Sequence, residues 1–227
     1  MASTDISPAE ALHPTSLIDA DHEDIQAFAR LHGDLADPVR RAVALYLAVR
    51  DGFRYDPYRV DLSPEGLKAS RVLADGHGWC VTKAALLTAV WRAAGLPAIV
   101  GYADVRNHLS TERLRAVIGT NDYVWHGYAC VYLHRHWVKA TPAFNASLCS
   151  RLGIDVLAFD GRRDSIYQAY DSQGRRLMEY VRMRGEYLDV PLAEIRADFE
   201  RCYPGLLRLN QSDFDADIVP ASSRPHA

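Results

Sequence analysis

The stretch GHGWCVTKAALLTAVWRAAGLPA, residues 76–98, sets one thiol between glycine-flanked turn residues and a long apolar run. Gly76 and Gly78 lead directly into that run, which places Cys80 in the first turn of a helix. There the unpaired backbone N–H groups and the helix dipole favour a thiolate. The same N–H groups can receive the oxyanion that forms when sulfur attacks a carbonyl. A thiol nucleophile also needs a base or ion-pair partner, usually a histidine. Of nine histidines, His126 stands apart because YVWHGYACVYL (123–133) surrounds it with strand-forming apolar and aromatic residues. The inert readings are a cysteine that packs as a small hydrophobe and a core histidine bonded to a carbonyl. For Cys130 in the apolar strand, Cys149 after Leu148 and Cys202 on the last helix, packing is the better reading.

The elements that would carry these two side chains follow from the pattern. DADHEDIQAFARLHGD (19–34) opens with acids and spaces Ile25, Phe28, Ala29 and Leu31 as a short helix does. DPVRRAVALYLAVRDGF predicts a helix with Asp37 as cap, Pro38 in its first turn and Gly52 after its end. YDPYRVDLSPEG reads as an extended loop. Cys80 to Ala94 is apolar all round except for Thr82, Lys83, Thr88 and Arg92, so it is expected to be buried. Gly95 then sits at the left-handed cap position, and Pro97 prevents continuation. AIVGYADV (98–105), YVWHGYACVYL and WVKATP predict strands, with His134–Arg135–His136 turning between the last two. FDGRRDSIYQAYDSQGRRLMEYV reads as a loop with short strands, and PLAEIRADFERCY as a final helix. Helices first and antiparallel strands afterwards give an α+β fold. The first ~16 residues and the tail DADIVPASSRPHA are expected to fray.

The combination of GWC (78–80), GLPA (95–98), His126 on the next strand but one and Trp137 on the returning strand resembles the transglutaminase-like superfamily. The resemblance covers about residues 40–145. It implies a papain/transglutaminase-like α+β core, with the nucleophile on a central helix packed on an antiparallel sheet. It implies one domain over 1–227, with a core at about 40–145 and an extension at about 146–215 that looks like that of a bacterial branch. It also implies catalytic roles for Cys80 and His126. The family's aspartate falls four residues after the tryptophan, where this chain has Thr141. A threonine hydroxyl can orient the imidazole but adds no negative charge to stabilise the imidazolium. Asn145, Asp160 and Asp104 are the other candidates for that third position.

Strand register bears on Thr141. A two-residue turn, Arg135–His136, pairs Val131 with Ala140 and Cys130 with Thr141, and places Thr141 and Asn145 on the face of His126. A three-residue turn would place Thr141 on the opposite face. The shorter turn is expected. Trp79 is a candidate wall of the acyl site and a candidate oxyanion donor beside the Cys80 N–H. Asp104, Asn107 and His108 are candidate lining residues after the first strand.

The chain as a whole narrows the chemistry. It has 227 residues, 48% hydrophobic and 24% charged, with a formal net charge of −3 and mixed signs. That leaves no footprint for nucleic acid. No apolar stretch reaches membrane-spanning length, and the start lacks the pattern of a secretory signal. Four cysteines make no disulfide framework, so reduced thiols in a cytoplasm are expected. Neither a zinc pattern nor a phosphate loop occurs, so no metal or cofactor is expected. The leading reading is acyl transfer on a peptide or other amide through a thioester, with hydrolysis ahead of transamidation. The alternative is a binding module of the same fold with weakened catalysis. A third reading, condensation or cyclisation in small-molecule biosynthesis, shares the thioester logic.

Overall fold

The structure, a computed structural model, describes residues 6–108, 110–166, 177–206 and 212–218. Its centre is α4 (Cys80–Ala93). This helix lies between β4 (Asp122–Leu133) on one side and α1 (Glu23–Gly33), α2 (Pro38–Gly52) and α3 (Ala69–Asp75) on the others. A helix covered in this way is apolar around its circumference, as expected. The four polar interruptions turn out to be staples rather than defects. Lys83 Nζ donates to the carbonyls of Arg50, Phe53 and Ala143 at 2.7–3.0 Å. Arg92 donates to those of Ala98, His13 and Leu188. Thr88 Oγ1 bonds back to the Ala84 carbonyl, and Thr82 Oγ1 accepts the Trp79 N–H.

The sheet is antiparallel, in the order β5 (His136–Ala140), β4, β3 (Ala98–Asn107), β6 (Met178–Tyr187). Its face toward α4 belongs to the main core. Its other face carries a second cluster with Ile99, Ala103, Val105, Tyr128, Cys130 and Met178. A short parallel pair, β1 (Arg54–Tyr55) with β2 (His77–Gly78), stands at the start of α4. The mixture of helices and an antiparallel sheet is the expected α+β class.

Several elements were not legible beforehand. Seven-residue helices α3, α5 (Glu112–Ile118) and α6 (Ala146–Leu152) are too short to show a full periodic face. The segment read as a loop with short strands ends in the first four residues of the ten-residue β6, which runs on to Tyr187, while 167–176 lie outside the described residues. The N-terminal region does not fray from residue 6 onward. Ala11 and Ile18 are fully buried, Arg92 holds the His13 carbonyl, and the Asp189 carboxylate accepts the N–H groups of Leu17 and Ile18. After α7 (Leu192–Cys202), part of the tail is also packed: α8 (Phe214–Asp217) buries Phe214, and Ile218 follows it into the core. The rest of the tail, 219–227, lies outside the described residues. No helix among the described residues is long and apolar enough to cross a membrane.

Candidate active site

Cys80 is the first residue of α4, with Trp79 as its N-cap. The chain is delivered to that point by α3, which ends in a left-handed Gly76 (φ 69°), and by β2 pairing with β1. Lys83, one turn into the helix, ties the end of α2 and the Ala143 segment to the same helix start. A buried ammonium is costly unless its donors are satisfied, and here all three are. Burial still pushes Lys83 down to about 7.

Strand β4 crosses the start of α4 at Gly127. A Cβ there would lie 2.8 Å from the Cys80 carbonyl oxygen and 2.9 Å from Val81 Cα. Only a glycine permits this approach. The backbone N–H groups of Gly127, Val81 and Cys80 itself favour the Cys80 thiolate. Sequence reasoning missed Gly127, although a glycine inside a strand pattern is the usual mark of close backbone approach.

His126 immediately precedes that crossing, and a bulge aims it. Ala103 pairs with His126, but Val105 pairs with Tyr123, so two residues of β4 oppose Asp104. Trp125, inside the bulge, has φ 61°, a conformation costly for a bulky side chain. Three side chains hold it there. The Asp104 carboxylate accepts the Trp125 N–H at 3.1 Å and the Arg184 Nε–H at 2.5 Å. Asp198 accepts the Trp125 indole N–H and an Arg184 N–H. The Arg184 guanidinium also lies over the Trp125 ring, 4.4 Å from its centroid. Asp104, one candidate for the position behind His126, is thus committed to the bulge.

Cys80 and His126 line one open cleft of about 820 Å³, together with Trp79 and Asn107. Burial pushes the Cys80 thiol up to about 11, against the three backbone N–H groups that favour its thiolate. Burial likewise pushes His126 down to about 4. At neutral pH the pair therefore rests as thiol and neutral imidazole. Such a pair can still do nucleophilic chemistry if the proton moves from sulfur to nitrogen as the sulfur attacks.

His126 also borders a second, smaller cavity, shared with Thr141, Ala143 and Ile166. Both His126 Nε2 and Thr141 Oγ1 are buried there without a hydrogen-bond partner among the described residues, and they do not bond each other. The Thr141 backbone is fixed on both sides: its N–H donates to Ser165, and its carbonyl accepts from the Tyr46 hydroxyl at 3.2 Å. The β4–β5 hairpin explains the shared side. The turn is two residues long, as expected, but it sits at His134–Arg135, both at positive φ. Val131 accordingly pairs with Val138, and Cys130 with Lys139. This shift moves every partner by two residues, an even step that preserves faces.

The other candidates lie elsewhere. Asn145 is the N-cap residue of α6; its Oδ1 accepts the Tyr55 N–H and its Nδ2 donates to Ser147. Its amide therefore anchors β1. Asp160 is occupied by the backbone of Arg162 and Arg163 on an exposed loop. Trp79 packs its ring 5.5 Å from that of Phe199, as one wall of the cleft. His108 pairs with Glu179 at 3.2 Å. Cys130 and Cys149 are buried in the two core clusters.

A model of the family described as the transglutaminase-like superfamily matches residues 26–142. No curated protein matches. Among solved structures, one described as "a Putative Cysteine Protease from Cytophaga hutchinsonii" aligns at 14% identity and a TM-score of 0.45. That alignment covers 81% of this chain and 55% of the other, so this chain spans about half its length. A second, described as "a Putative Protease from Parabacteroides distasonis", aligns at 16% identity and a TM-score of 0.37, over 61% of this chain and 27% of the other.

Proposed function

Since the chain belongs to the transglutaminase-like superfamily, we propose that it is a cysteine-dependent acyl-transfer enzyme acting on a peptide or related amide. The observation that carries this reading is the convergence of Cys80 and His126 on one cleft, at the point where Gly127 lets strand and helix touch. Sulfur attacks the amide carbonyl while its proton passes to His126. The oxyanion meets backbone N–H groups at the helix start. The C–N bond then breaks as the imidazolium returns the proton to the leaving amine, leaving a thioester on Cys80. Water, deprotonated by His126, releases the acid and restores the thiol. An amine in place of water would give transamidation, which we rank second. In this reading Thr141 positions His126 from behind, and Trp79 and Asn107 contact the substrate.

One observation favours a second reading, a binding module of weakened catalysis. The resting pair is neutral, and the cavity behind His126 presents a hydroxyl where a carboxylate would stabilise the imidazolium. Turnover of a panel of peptide anilides and simple amides separates the two. The enzymatic reading expects release of amine by the wild type and none by Cys80→Ala. Binding of the same compounds with no release by either protein supports the binding module.

A further inference from the structure

The cleft in front of Cys80 has an unusual wall. No Asp, Glu, Lys or Arg is among its described lining residues. Several of its polar side chains are already engaged in hydrogen bonds. The Thr111 hydroxyl accepts the Leu114 N–H and bonds the Tyr58 hydroxyl, Tyr123 donates to Ser110, and Tyr203 both accepts the Val124 N–H and donates to the Asp122 carbonyl. The rest of the lining is largely apolar and includes Leu114, Ile118, Val124, Phe199, Leu206 and Phe214. The charges around α8 are paired, Asp217 with Arg113, and Asp215 with Arg54 and Arg151. A charged substrate group would lose its hydration there and meet no carboxylate, ammonium or guanidinium among the described lining residues. An apolar chain would exchange water for hydrocarbon.

We propose that the cleft selects an uncharged acyl group with an apolar chain or side chain next to the reacting carbonyl. Part of the selecting wall comes from the chain after the family-matched residues 26–142, where Phe199, Tyr203, Leu206, Phe214 and Ile218 lie, while Leu114, Ile118 and Val124 belong to the matched part. The matched core supplies the thiol, the imidazole and one part of the wall, and the C-terminal part completes it. This inference rests on the proposed chemistry at Cys80, but its test does not require turnover.

The test is protection of Cys80 from iodoacetamide in the full-length wild type, read by mass spectrometry of the Cys80 peptide. Straight-chain primary amides from propanamide to octanamide serve as protectants, beside succinamate and 6-aminohexanamide as charged counterparts. The half-protecting concentration is expected to fall about fourfold per added methylene until the chain fills the cleft. The charged amides should be at least about thirtyfold weaker than uncharged ones of equal length. Protection independent of chain length, or equal protection by the charged amides, overturns the proposal, as does the absence of protection by any amide. Calorimetric titration of the same amides into Cys80→Ala gives a readout free of thiol reactivity, with the same expected order. Val124→Asp, at a half-buried position, should abolish the gain from propanamide to octanamide; an undiminished gain in that variant contradicts the assigned wall. Catalysis that ignores chain length would count against this inference alone. A chain-length preference without any acyl transfer would count against the catalytic reading alone.

Discussion

His126 and Thr141 line the same small cavity, and His126 Nε2 and Thr141 Oγ1 are each buried without a hydrogen-bond partner among the described residues. The hydroxyl is on the correct face because β5 returns in an even register with β4, yet it brings no charge. Thr141→Asp is expected to raise the titration midpoint of His126 from about 4 by roughly one pH unit or more, since a nearby carboxylate favours the imidazolium. Nuclear magnetic resonance titration of the ring reads this directly. An unmoved midpoint would mean that residue 141 does not face the imidazole.

Gly127→Ala should be disruptive although it adds a single methyl. The new Cβ meets backbone on α4, which cannot rotate away as a side chain can. Overpacking of this kind costs about 1–3 kcal/mol, and it pushes β4 off the helix start. Denaturant melts should show the loss, and Cys80 alkylation should change in rate; a variant as stable as wild type would contradict the close approach.

Arg184 is the hub of the bulge that aims His126, bonding Asp104 and Asp198 while covering Trp125. Arg184→Met keeps the bulk over the ring and removes the charge from between two carboxylates. A destabilisation of about 2 kcal/mol is expected from the lost charge-assisted bonds, together with a drop in acyl transfer larger than the stability loss explains. Asp198 is held down to about 2, first by Arg201 and then by Trp125 and Arg184. Its contribution is therefore complete above the unfolded carboxylate range and fades only as pH falls toward 2.

The sequence made the helix start, the histidine strand and the α+β class readable, because each leaves a local mark: glycines before an apolar run, and a histidine among β-formers. What it hid was tertiary. Asp104 is used by a bulge that no single-strand pattern announces, and Asn145 by a backbone N–H ninety residues away at Tyr55. Lys83 read as an interruption in an apolar helix and is a three-carbonyl anchor. The apolar wall was invisible for a similar reason: Phe199, Leu206 and Phe214 belong to segments that reach the cleft only through the fold.

The two shifted groups set a pH signature. Burial holds Cys80 near 11, so its alkylation should climb steadily from pH 7 to pH 10, with no plateau at neutral pH. A neutral-pH plateau would indicate a resting thiolate. His126, lowered from 6.5 to about 4, binds fewer protons folded than unfolded between those values. Stability should accordingly fall as pH drops through that window, and His126→Gln should flatten the slope.

The most direct measurement is the rate at which a nitrophenyl ester of an uncharged acyl group acylates the protein, with the modified residue located by mass spectrometry. The account predicts a single acyl adduct on Cys80, none in Cys80→Ala, and formation slower by about a hundredfold in His126→Ala, the usual worth of a positioned base. An adduct on Cys202, Cys130 or Cys149, or one that forms on Cys80 equally fast without the imidazole, would contradict it.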